Sequence, residues 1–253
     1  MFECSGVRVN GQEHLNTPTP EYAKMRKIAI SDIHGCNATF QRLLEQLSLS
    51  QDDELYFLGD YIDRGPDSKG VIDIILDLQQ SGNVVRCLLG NHEQMMKDAL
   101  ADVDEEDFKI WLINGGDETL RSYMVNGKPR IPDHHYDFFD NLELYCEVDE
   151  YIMVHAGLNF EMPLPLTDEF SMLWIRDWYP DLNRHWLGER IIVHGHTPMP
   201  KVDIENQFTH LEKFPVLNID GGCVHKGKRR GVGYLVAFDL TNRELYFQEN
   251  MEG

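Results

Sequence analysis

Basic residues are scarce in this chain of 253 residues. It has 23 lysines and arginines against 43 aspartates and glutamates, which gives a formal net charge of −20. Proteins that bind the backbone of a nucleic acid duplex are normally basic, so this composition argues against such a partner. The same acidity repels phosphate-bearing substrates at long range, and any site for them must reverse the electrostatic potential locally.

The sequence also lacks the features of a secreted or membrane protein. Five cysteines stand at positions 4, 36, 87, 146 and 223, an odd number without a Cys-x-x-Cys pair. This usage favours a reducing, cytoplasmic setting. No apolar stretch approaches the length of a membrane span, and the first residues lack the charged start and apolar core of a signal peptide. We therefore expect no membrane partner.

Five short polar motifs are the most informative feature that is present. Each follows an apolar run that is typical of a buried strand, so its side chains are expected at the carboxyl end of that strand. Polar groups from several strand ends can converge there on one crevice. The motifs are Asp32-Ile33-His34-Gly35, Gly59-Asp60-Tyr61-Ile62-Asp63-Arg64-Gly65, Gly90-Asn91-His92-Glu93, His155-Ala156-Gly157 and Gly195-His196-Thr197.

The oxygen and imidazole groups of these motifs form a ligand set for two divalent cations. Asp60 has two carboxylate oxygens and can offer one to each metal, while Asn91 offers a neutral oxygen. Several histidines without a thiolate suit Mn²⁺, Fe or Zn²⁺ better than an all-oxygen Ca²⁺ or Mg²⁺ site. Two such ions can clamp the attacking and the leaving oxygen of a displacement at phosphorus.

With these motifs the chain resembles the PPP-type phosphoprotein phosphatases, in their bacterial and phage branch, within the calcineurin-like metallophosphoesterase superfamily. The family pattern is Asp-x-His-Gly, Gly-Asp-x-x-Asp-Arg-Gly and Gly-Asn-His-Glu, followed by two later histidines, and the first three appear here without departure. The resemblance covers residues 26–249. It implies an α/β fold, a sandwich of two central mixed sheets flanked by helices, with the metals at its mouth.

The resemblance also implies a role for each matching residue. His92 would be the general acid, and Asp63 the carboxylate that orients it. Arg64 and Arg176 would bind the substrate phosphate together with Asn91. The implied metal ligands are Asp32, His34 and Asp60 for the first ion, and Asp60, Asn91, His155 and His196 for the second.

The leading interpretation is therefore a phosphatase with two metal ions, Mn²⁺ first among the candidates, that hydrolyses phosphomonoesters by direct attack of a metal-bridging water. Its expected partners are phosphoserine, phosphothreonine or phosphotyrosine in a protein or peptide, or a small phosphate ester. The closest alternative enzyme is a hydrolase of the diadenosine tetraphosphate type, because the loop Asp220-Gly221-Gly222-Cys223 resembles the Asp-Thr-Gly-Cys loop of those enzymes. A metal-binding scaffold is the non-enzymatic alternative.

The chain length fits one α/β domain over residues 25–253, preceded by a polar segment at 1–24 that we expect to be a flexible extension. Residues 94–141 are acidic and helical in pattern, and they fall between the candidate ligands Asn91 and His155. This position predicts a helical cap insertion at the substrate site. Its acidic run is more typical of a solvated face than of a recognition patch.

Periodicity predicts the elements around the motifs. His134 and His135 follow Pro132 at a predicted helix start, and we expect both on the surface because no ligand partner stands at a useful spacing. The predicted helices span residues 37–47 and 71–78, the predicted strand spans 84–89, and the predicted hairpins lie within 142–154 and 232–248.

Overall fold

The computed structural model describes residues 25–101 and 105–252, so the expected N-terminal extension lies outside the described residues. In chain order, the strands are β1 (Lys27–Ile30), β2 (Glu54–Phe57), β3 (Val84–Cys87), β4 (Met124–Val125), β5 (Lys128–Pro129), β6 (Tyr145–Val148), β7 (Tyr151–Val154), β8 (Ile191–His194), β9 (Val216–Asn218), β10 (Tyr234–Asp239) and β11 (Glu244–Glu249). The helices are α1 (Asn37–Leu47), α2 (Ser68–Gln80), α3 (Asn91–Leu100), α4 (Glu105–Trp111), α5 (Asp117–Ser122), α6 (Asp133–Asp140), α7 (Glu169–Trp174), α8 (Arg184–Leu187) and α9 (Lys201–Thr209). Shorter helical turns lie at Leu112–Gly116, Pro165–Thr167, Tyr179–Asp181 and Cys223–His225.

Two mixed sheets form the centre of the fold. The first has the strand order β11-β10-β1-β2-β3, in which β1, β2 and β3 are parallel and β10 is antiparallel to both of its neighbours. The second has the order β6-β7-β8-β9, in which β7, β8 and β9 are parallel and β6 is antiparallel at the edge. These sheets confirm the predicted α/β fold with two central mixed sheets.

Apolar side chains hold the two sheets face to face. Ala29 and Tyr56 of the first sheet lie in one buried cluster with Met153 and Val193 of the second. Removing apolar surface from water contributes roughly 25 cal/mol per Å², so this layer is a major source of stability. It also fixes the position of one sheet against the other, which the site requires.

Helices cover the outer faces of both sheets, as predicted. α1 packs on the first sheet because Phe40, Leu43 and Leu47 recur at helical spacing and are buried. α2 begins after Asp67, whose carboxylate accepts a hydrogen bond from N of Gly70 at 2.9 Å. The short helices between β7 and β8 cover the second sheet and bury further apolar side chains there.

The predicted elements are present with small shifts of their boundaries. α1 has the predicted bounds, and the two predicted hairpins are β6–β7 and β10–β11. The expectation for His135 is wrong, because its side chain is fully buried while that of His134 is exposed. The His135 ring contacts the hydroxyl of Tyr123 at 2.8 Å and Oδ1 of Asp73 at 3.1 Å, and these partners offset the cost of burying a polar group. Nowhere in the described ranges is a helix long and apolar enough to cross a bilayer.

Candidate active site

Loops that follow the parallel strands carry the candidate site. Asp32 follows β1, Asp60 follows β2, His155 follows β7 and His196 follows β8, each within three residues of the strand end. Parallel strands of one sheet end at the same edge, which brings their loops together. The amide N of His196 donates to Oδ1 of Asp32 at 2.9 Å, so the loops of the two sheets meet at this point.

Asp60 lies between histidines from both sheets. Its Oδ2 is 3.5 Å from Nε2 of His34, and its Oδ1 is 3.4 Å from Nε2 of His155. Burial acts to raise the pKa of Asp60, but the electrostatic interactions with the neighbouring imidazoles of His155, His92, His34 and His196 outweigh it and hold this pKa well below its usual value. Asp60 is therefore ionised, and its two oxygens face two different groups of side chains.

These two groups share Asp60, and each could hold a metal ion. The candidate ligand atoms of each group lie within 4.8 Å of one another. Asn91 joins the second group through Oδ1, which is 3.0 Å from Nε2 of His155 and 2.9 Å from Nδ1 of His196. The first group comprises His34, Asp60 and His92, and the second comprises Asp60, His155 and His196.

The protonation of His155 at Nδ1 leaves the lone pair of Nε2 directed at the second group. Nδ1 of His155 lies 2.8 Å from the carbonyl O of Leu58 and, by this contact, carries the ring proton. Burial lowers the pKa of His155, so the ring is neutral and Nε2 is an acceptor. This acceptor faces oxygens of Asn91 and Asp60, which are acceptors as well. Buried acceptors that face one another fit a cation placed between them.

Asp32 and His196 each keep one buried atom without a partner. Oδ2 of Asp32 and Nε2 of His196 accept or donate no hydrogen bond within the described part of the chain. Burial, and then the charges of Asp220 and Asp60, raise the pKa of Asp32 well above its usual value. Burial also raises the pKa of Asp220, to about 7. A divalent cation would supply the missing partner and offset the repulsion among these carboxylates.

Strained backbone conformations hold the side chains in place. Residues other than glycine rarely adopt a positive φ, and such strain clusters at functional sites. The packing is also tight, since a Cβ at Gly195 would lie 2.1 Å from Oδ2 of Asp32. The candidate site residues with positive φ are His34 (49°), Asp60 (53°), Asp63 (71°), Arg64 (70°) and His196 (66°).

His92 and Asp63 form a buried pair beside the first group. Nδ1 of His92 lies 2.7 Å from Oδ2 of Asp63. Two further donors hold the same carboxylate, because Nε1 of Trp111 is 3.0 Å from both oxygens and Oγ1 of Thr119 is 2.6 Å from Oδ1. Burial raises the pKa of Asp63, and the hydrogen bonds from His92, Thr119 and Trp111 oppose this rise. The carboxylate thereby fixes the orientation of the His92 ring.

Arg64 and Arg176 reach the site from different elements. Nη1 of Arg64 donates to Nε2 of His34 at 2.7 Å. Nη1 of Arg176 donates to the carbonyl O of His196 at 3.4 Å and to Oγ1 of Thr197 at 3.2 Å. Two permanent positive charges therefore border the carboxylates, as the binding of an anionic substrate requires.

Two carboxylates that the structure buries at the site have no role predicted from the motifs. Glu93 accepts hydrogen bonds from N of Asp60 at 2.9 Å, N of Tyr61 at 2.8 Å and N of Ile62 at 3.2 Å, so it holds the loop after β2. Asp220 is buried and acts electrostatically on Asp32. Two features of the sequence could have indicated these carboxylates. Glu93 directly follows His92 in its motif, and Asp220 directly follows a strand-like apolar run.

Comparison with known proteins places this site in a family. The chain matches the calcineurin-like phosphoesterase family over residues 25–243. It is 38% identical over 213 residues to serine/threonine-protein phosphatase 1 of Salmonella typhimurium, which covers 79% of this chain and 87% of that protein. It is 25% identical over 236 residues to the asymmetrical bis(5'-nucleosyl)-tetraphosphatase PrpE of Anoxybacillus flavithermus, over 81% of this chain and 89% of that protein. The solved structure of a candidate diadenosine tetraphosphatase has a TM-score of 0.60 at 21% identity, over 92% of this chain and 96% of that one.

The site is a cluster of buried oxygen and imidazole ligands at the ends of parallel strands. Together with the family match, it defines a metallophosphoesterase, a class of hydrolases that depends on two metal ions. The chain belongs to the calcineurin-like phosphoesterase family. Its motif set and its similarity to the Salmonella phosphatase support a PPP-type member of that family.

Proposed function

We propose that the protein is a phosphatase with two metal ions that hydrolyses phosphomonoesters. Its principal substrates are phosphoserine and phosphothreonine in proteins, with phosphotyrosine as a further one. The observation that carries this proposal is the position of Asp60, whose two oxygens face two separate ligand groups. The identity of 38% to a serine/threonine-protein phosphatase supports the substrate class.

Six side chains are the proposed metal ligands, and the buried atoms of Asp32, Asn91, His155 and His196 that lack a matching donor support the assignment. When bound, two divalent ions neutralise phosphate charge and lower the pKa of a bound water. Mn²⁺ is the proposed metal, with Fe or Zn²⁺ as alternatives, because oxygen and imidazole ligands without a thiolate suit all three. The ligands are Asp32, His34 and Asp60 for the first ion and Asp60, Asn91, His155 and His196 for the second.

His92 is the proposed general acid. The alkoxide that leaves phosphoserine is a poor leaving group and needs a proton, which an imidazole can carry and release near neutral pH. Asp63 accepts from Nδ1 of His92 at 2.7 Å, so a proton at Nε2 of the same ring is the one offered to the leaving oxygen. The burial of both side chains supports this pairing.

Arg64, Arg176 and Asn91 are the proposed phosphate-binding residues. A guanidinium offers a planar fork of donors that matches two phosphate oxygens. Arg64 now donates to Nε2 of His34, which is one of the proposed ligand atoms. A metal at that atom requires the guanidinium to leave it, and the freed fork is then available to the substrate.

Residues 94–141 are proposed as a helical cap within the single domain of residues 25–253. Supporting contacts come from Trp111 and Thr119, which reach Asp63 in the site. This segment includes α4 and α5 and borders the same loop that carries Arg64. A cap in this position would restrict which phosphate esters enter.

Metal analysis together with turnover of para-nitrophenyl phosphate tests the proposal. The protein should bind two divalent ions per chain and should hydrolyse the ester with Mn²⁺. Asp32→Asn should reduce both, whereas the matched surface variant Asp149→Asn should reduce neither, because Asp149 is exposed and contacts Lys27 instead. Two bound ions without turnover across Mn²⁺, Fe²⁺ and Zn²⁺ would favour a metal-binding scaffold.

Hydrolysis of a dinucleoside polyphosphate of the diadenosine tetraphosphate type is the second candidate function. It is favoured by the similarity to PrpE over 81% of the chain. It is also favoured by the loop Asp220-Gly221-Gly222-Cys223, whose aspartate is buried beside the candidate ligands. Phosphopeptides and diadenosine tetraphosphate should be assayed side by side with Mn²⁺. A hundredfold preference, roughly 2.7 kcal/mol in transition-state binding, would assign the substrate class.

A cytoplasmic location is also proposed. Cys36, Cys87, Cys146 and Cys223 are free thiols and are all buried. Free thiols of this kind persist in a reducing compartment, whereas disulfides are usual in secreted proteins.

A further inference from the structure

A loop of reversed charge borders the candidate active site. In a chain of net charge −20, residues 225–230 contain two lysines, two arginines and a histidine without a carboxylate. This segment, here called the basic loop, joins the short turn after β9 to β10. Lys226, Lys228, Arg229 and Arg230 are all exposed. Such a concentration of positive charge in an acidic protein attracts anions to one place on its surface.

Two lysines of the basic loop line a cavity together with the proposed phosphate arginine. The cavity has a volume of about 300 Å³, and Arg64, Lys226 and Lys228 are among its lining residues. Arg64 also donates to Nε2 of His34 at 2.7 Å. The guanidinium therefore connects the cavity to the candidate metal centre, and a group bound in the cavity would lie next to the phosphate that is hydrolysed.

The carboxylates at this cavity already have partners. Glu118 forms an ion pair with Arg121. Glu252 accepts a hydrogen bond from N of Thr39 at 3.0 Å and another from its hydroxyl. Because their charges are already partly neutralised by these partners, Glu118 and Glu252 cancel less of the positive charge of the lysines across the cavity.

The cations of the cavity differ in their partners. Lys226 forms an ion pair with Glu249 at 3.2 Å and donates to the carbonyl O of Asn250 at 2.7 Å. Across residues 25–101 and 105–252, no carboxylate forms an ion pair with Lys228 or Arg64. Lys228 and Arg64 therefore supply the positive charge that is available to a ligand.

His225 is subject to the charges of these cations. Burial lowers the pKa of His225 to about 4, and the charges of Arg64, Lys228 and Arg229 act in the same direction. Arg64 belongs to the loop after β2, whereas the other two belong to the basic loop. Positive charges from two separate parts of the chain thus act on His225, in agreement with the cavity that Arg64 and Lys228 line together.

We propose that Lys228, with Lys226 beside it, forms a second anion subsite that binds a further phosphate group of the substrate, while Arg64 stands between this subsite and the phosphate that is hydrolysed. The inference rests on the proposed function and names a property of its substrates. Lysine ammonium groups bind phosphate as compact point charges, and an arginine fork adds direction. Two sources carry such a further phosphate: the polyphosphate chain of a nucleotide, and a second phosphorylated residue of a peptide.

Paired substrates test the subsite. One pair is a peptide with a single phosphoserine and the same peptide with a second phosphoserine. The other pair is para-nitrophenyl phosphate and diadenosine tetraphosphate, all at a fixed concentration of free Mn²⁺. Lys228→Glu should lower kcat/KM for the multiply phosphorylated member roughly tenfold more than for the single phosphate, which equals about 1.4 kcal/mol. The pair that shows this loss identifies the source of the second phosphate.

Lys128→Glu is the matched control variant. Lys128 is also an exposed lysine and brings the same change of charge, but it lies in β5 and does not line the cavity. For both substrate pairs, this variant should leave unchanged the ratio of kcat/KM between the multiply phosphorylated member and the single phosphate. Added salt should weaken the preference of the wild type and leave the Lys228→Glu protein less affected, because salt screens exposed charges.

Equal losses for both members of each pair in the Lys228→Glu protein would overturn the subsite, as would the absence of any loss. Titration calorimetry with the two peptides in the His92→Asn protein, with and without Lys228→Glu, measures the same preference without turnover. If the wild type binds the doubly phosphorylated peptide more tightly in a manner that depends on Lys228, yet hydrolyses no phosphate ester, then the subsite stands and the proposed function fails.

Discussion

Nε1 of the Trp111 indole lies 3.0 Å from both carboxylate oxygens of Asp63. Trp111 ends α4, whereas Asp63 lies in the loop after β2 and contacts Nδ1 of His92 at 2.7 Å. The adjoining turn also holds that loop, because N of Arg64 donates to the carbonyl O of Gly115 at 3.1 Å. The helical segment therefore supports the candidate catalytic loop directly, through side-chain and backbone hydrogen bonds.

Trp111→Phe should lower turnover selectively on substrates with poor leaving groups. The change removes one donor to the Asp63 carboxylate and keeps most of the buried ring, so His92 should lose orientation more than the fold loses packing. We expect kcat on a phosphoserine peptide to fall roughly tenfold, or about 1.4 kcal/mol. Turnover of 2,4-dinitrophenyl phosphate, whose leaving group needs no proton, should change much less. The measurement is kcat for both substrates under saturation.

Trp186→Phe is the control for this change, because Trp186 packs on Phe160 in the separate apolar cluster of the second sheet. It should not alter the ratio of the two rates. A loss of equal size on both substrates in the Trp111→Phe protein would mean that Trp111 supports the fold alone. Thr119→Ser should retain the ratio, since serine keeps the hydroxyl that Thr119 gives to Asp63 at 2.6 Å.

His92→Asn should retain bound metal and lose turnover. The side chain of His92 is buried beside Asp63, and asparagine is similar in size but cannot carry a proton to a leaving oxygen. We expect kcat on a phosphoserine peptide to fall by roughly 10²–10⁴, the usual range for general acid–base catalysis. His134→Asn, on the exposed side of α6, is the control and should leave the rate unchanged. Full activity of His92→Asn on an alkyl phosphate would exclude the proposed role.

Asp60→Asn should reduce metal content and activity together. Asp60 is the side chain that both ligand groups share, and an amide offers one oxygen where the carboxylate offers two. Elemental analysis after dialysis should find fewer than two ions per chain, and turnover should fall with the metal content. Asp149→Asn is the control, because Asp149 is exposed, pairs with Lys27 and belongs to neither ligand group. Two tightly bound ions in the Asp60→Asn protein would exclude a bridging role.

Much of the candidate site could be identified from the sequence because its signals are local. Asp32, Asp60 and Asn91 each follow an apolar run, and such runs identify strands from a few neighbouring residues. Their meeting in space follows from the parallel strands that precede them, since those strands end at one edge. Short motifs therefore carried information about residues that lie far apart in the chain.

The contacts that the sequence did not reveal depend on packing between distant segments. Trp111 and Asp63 are 48 residues apart, and no periodicity connects them. His134 and His135 look equivalent in the sequence, but successive residues of an α-helix point about 100° apart. The orientation of α6 against Tyr123 and Asp73 turns only His135 inward.

The ion pair of Arg26 and Asp53 should make the stability of the fold depend on pH. Nη2 of Arg26 donates to Oδ2 of Asp53 at 2.5 Å, and N of Ser50 donates to the same oxygen at 2.9 Å. Burial acts to raise the pKa of Asp53, but these hydrogen bonds outweigh it and hold this pKa below its usual value. The folded state therefore favours the ionised carboxylate, and the stabilisation is lost as the pH falls through the folded pKa.

Asp53→Asn should accordingly destabilise the protein at neutral pH and cost less in acid. We expect a loss of about 2 kcal/mol at pH 7, the usual size for hydrogen bonds to a charged group that is largely buried. The difference from wild type should persist above about pH 4, where the unfolded carboxyl is ionised, and shrink below it. Urea unfolding between pH 7 and pH 3 measures this difference. Asp149→Asn, which breaks the exposed pair with Lys27, should cost less than about 1 kcal/mol because solvent screens that pair. A constant difference for Asp53→Asn down to pH 3 would show that its charge contributes nothing and that packing alone explains the loss.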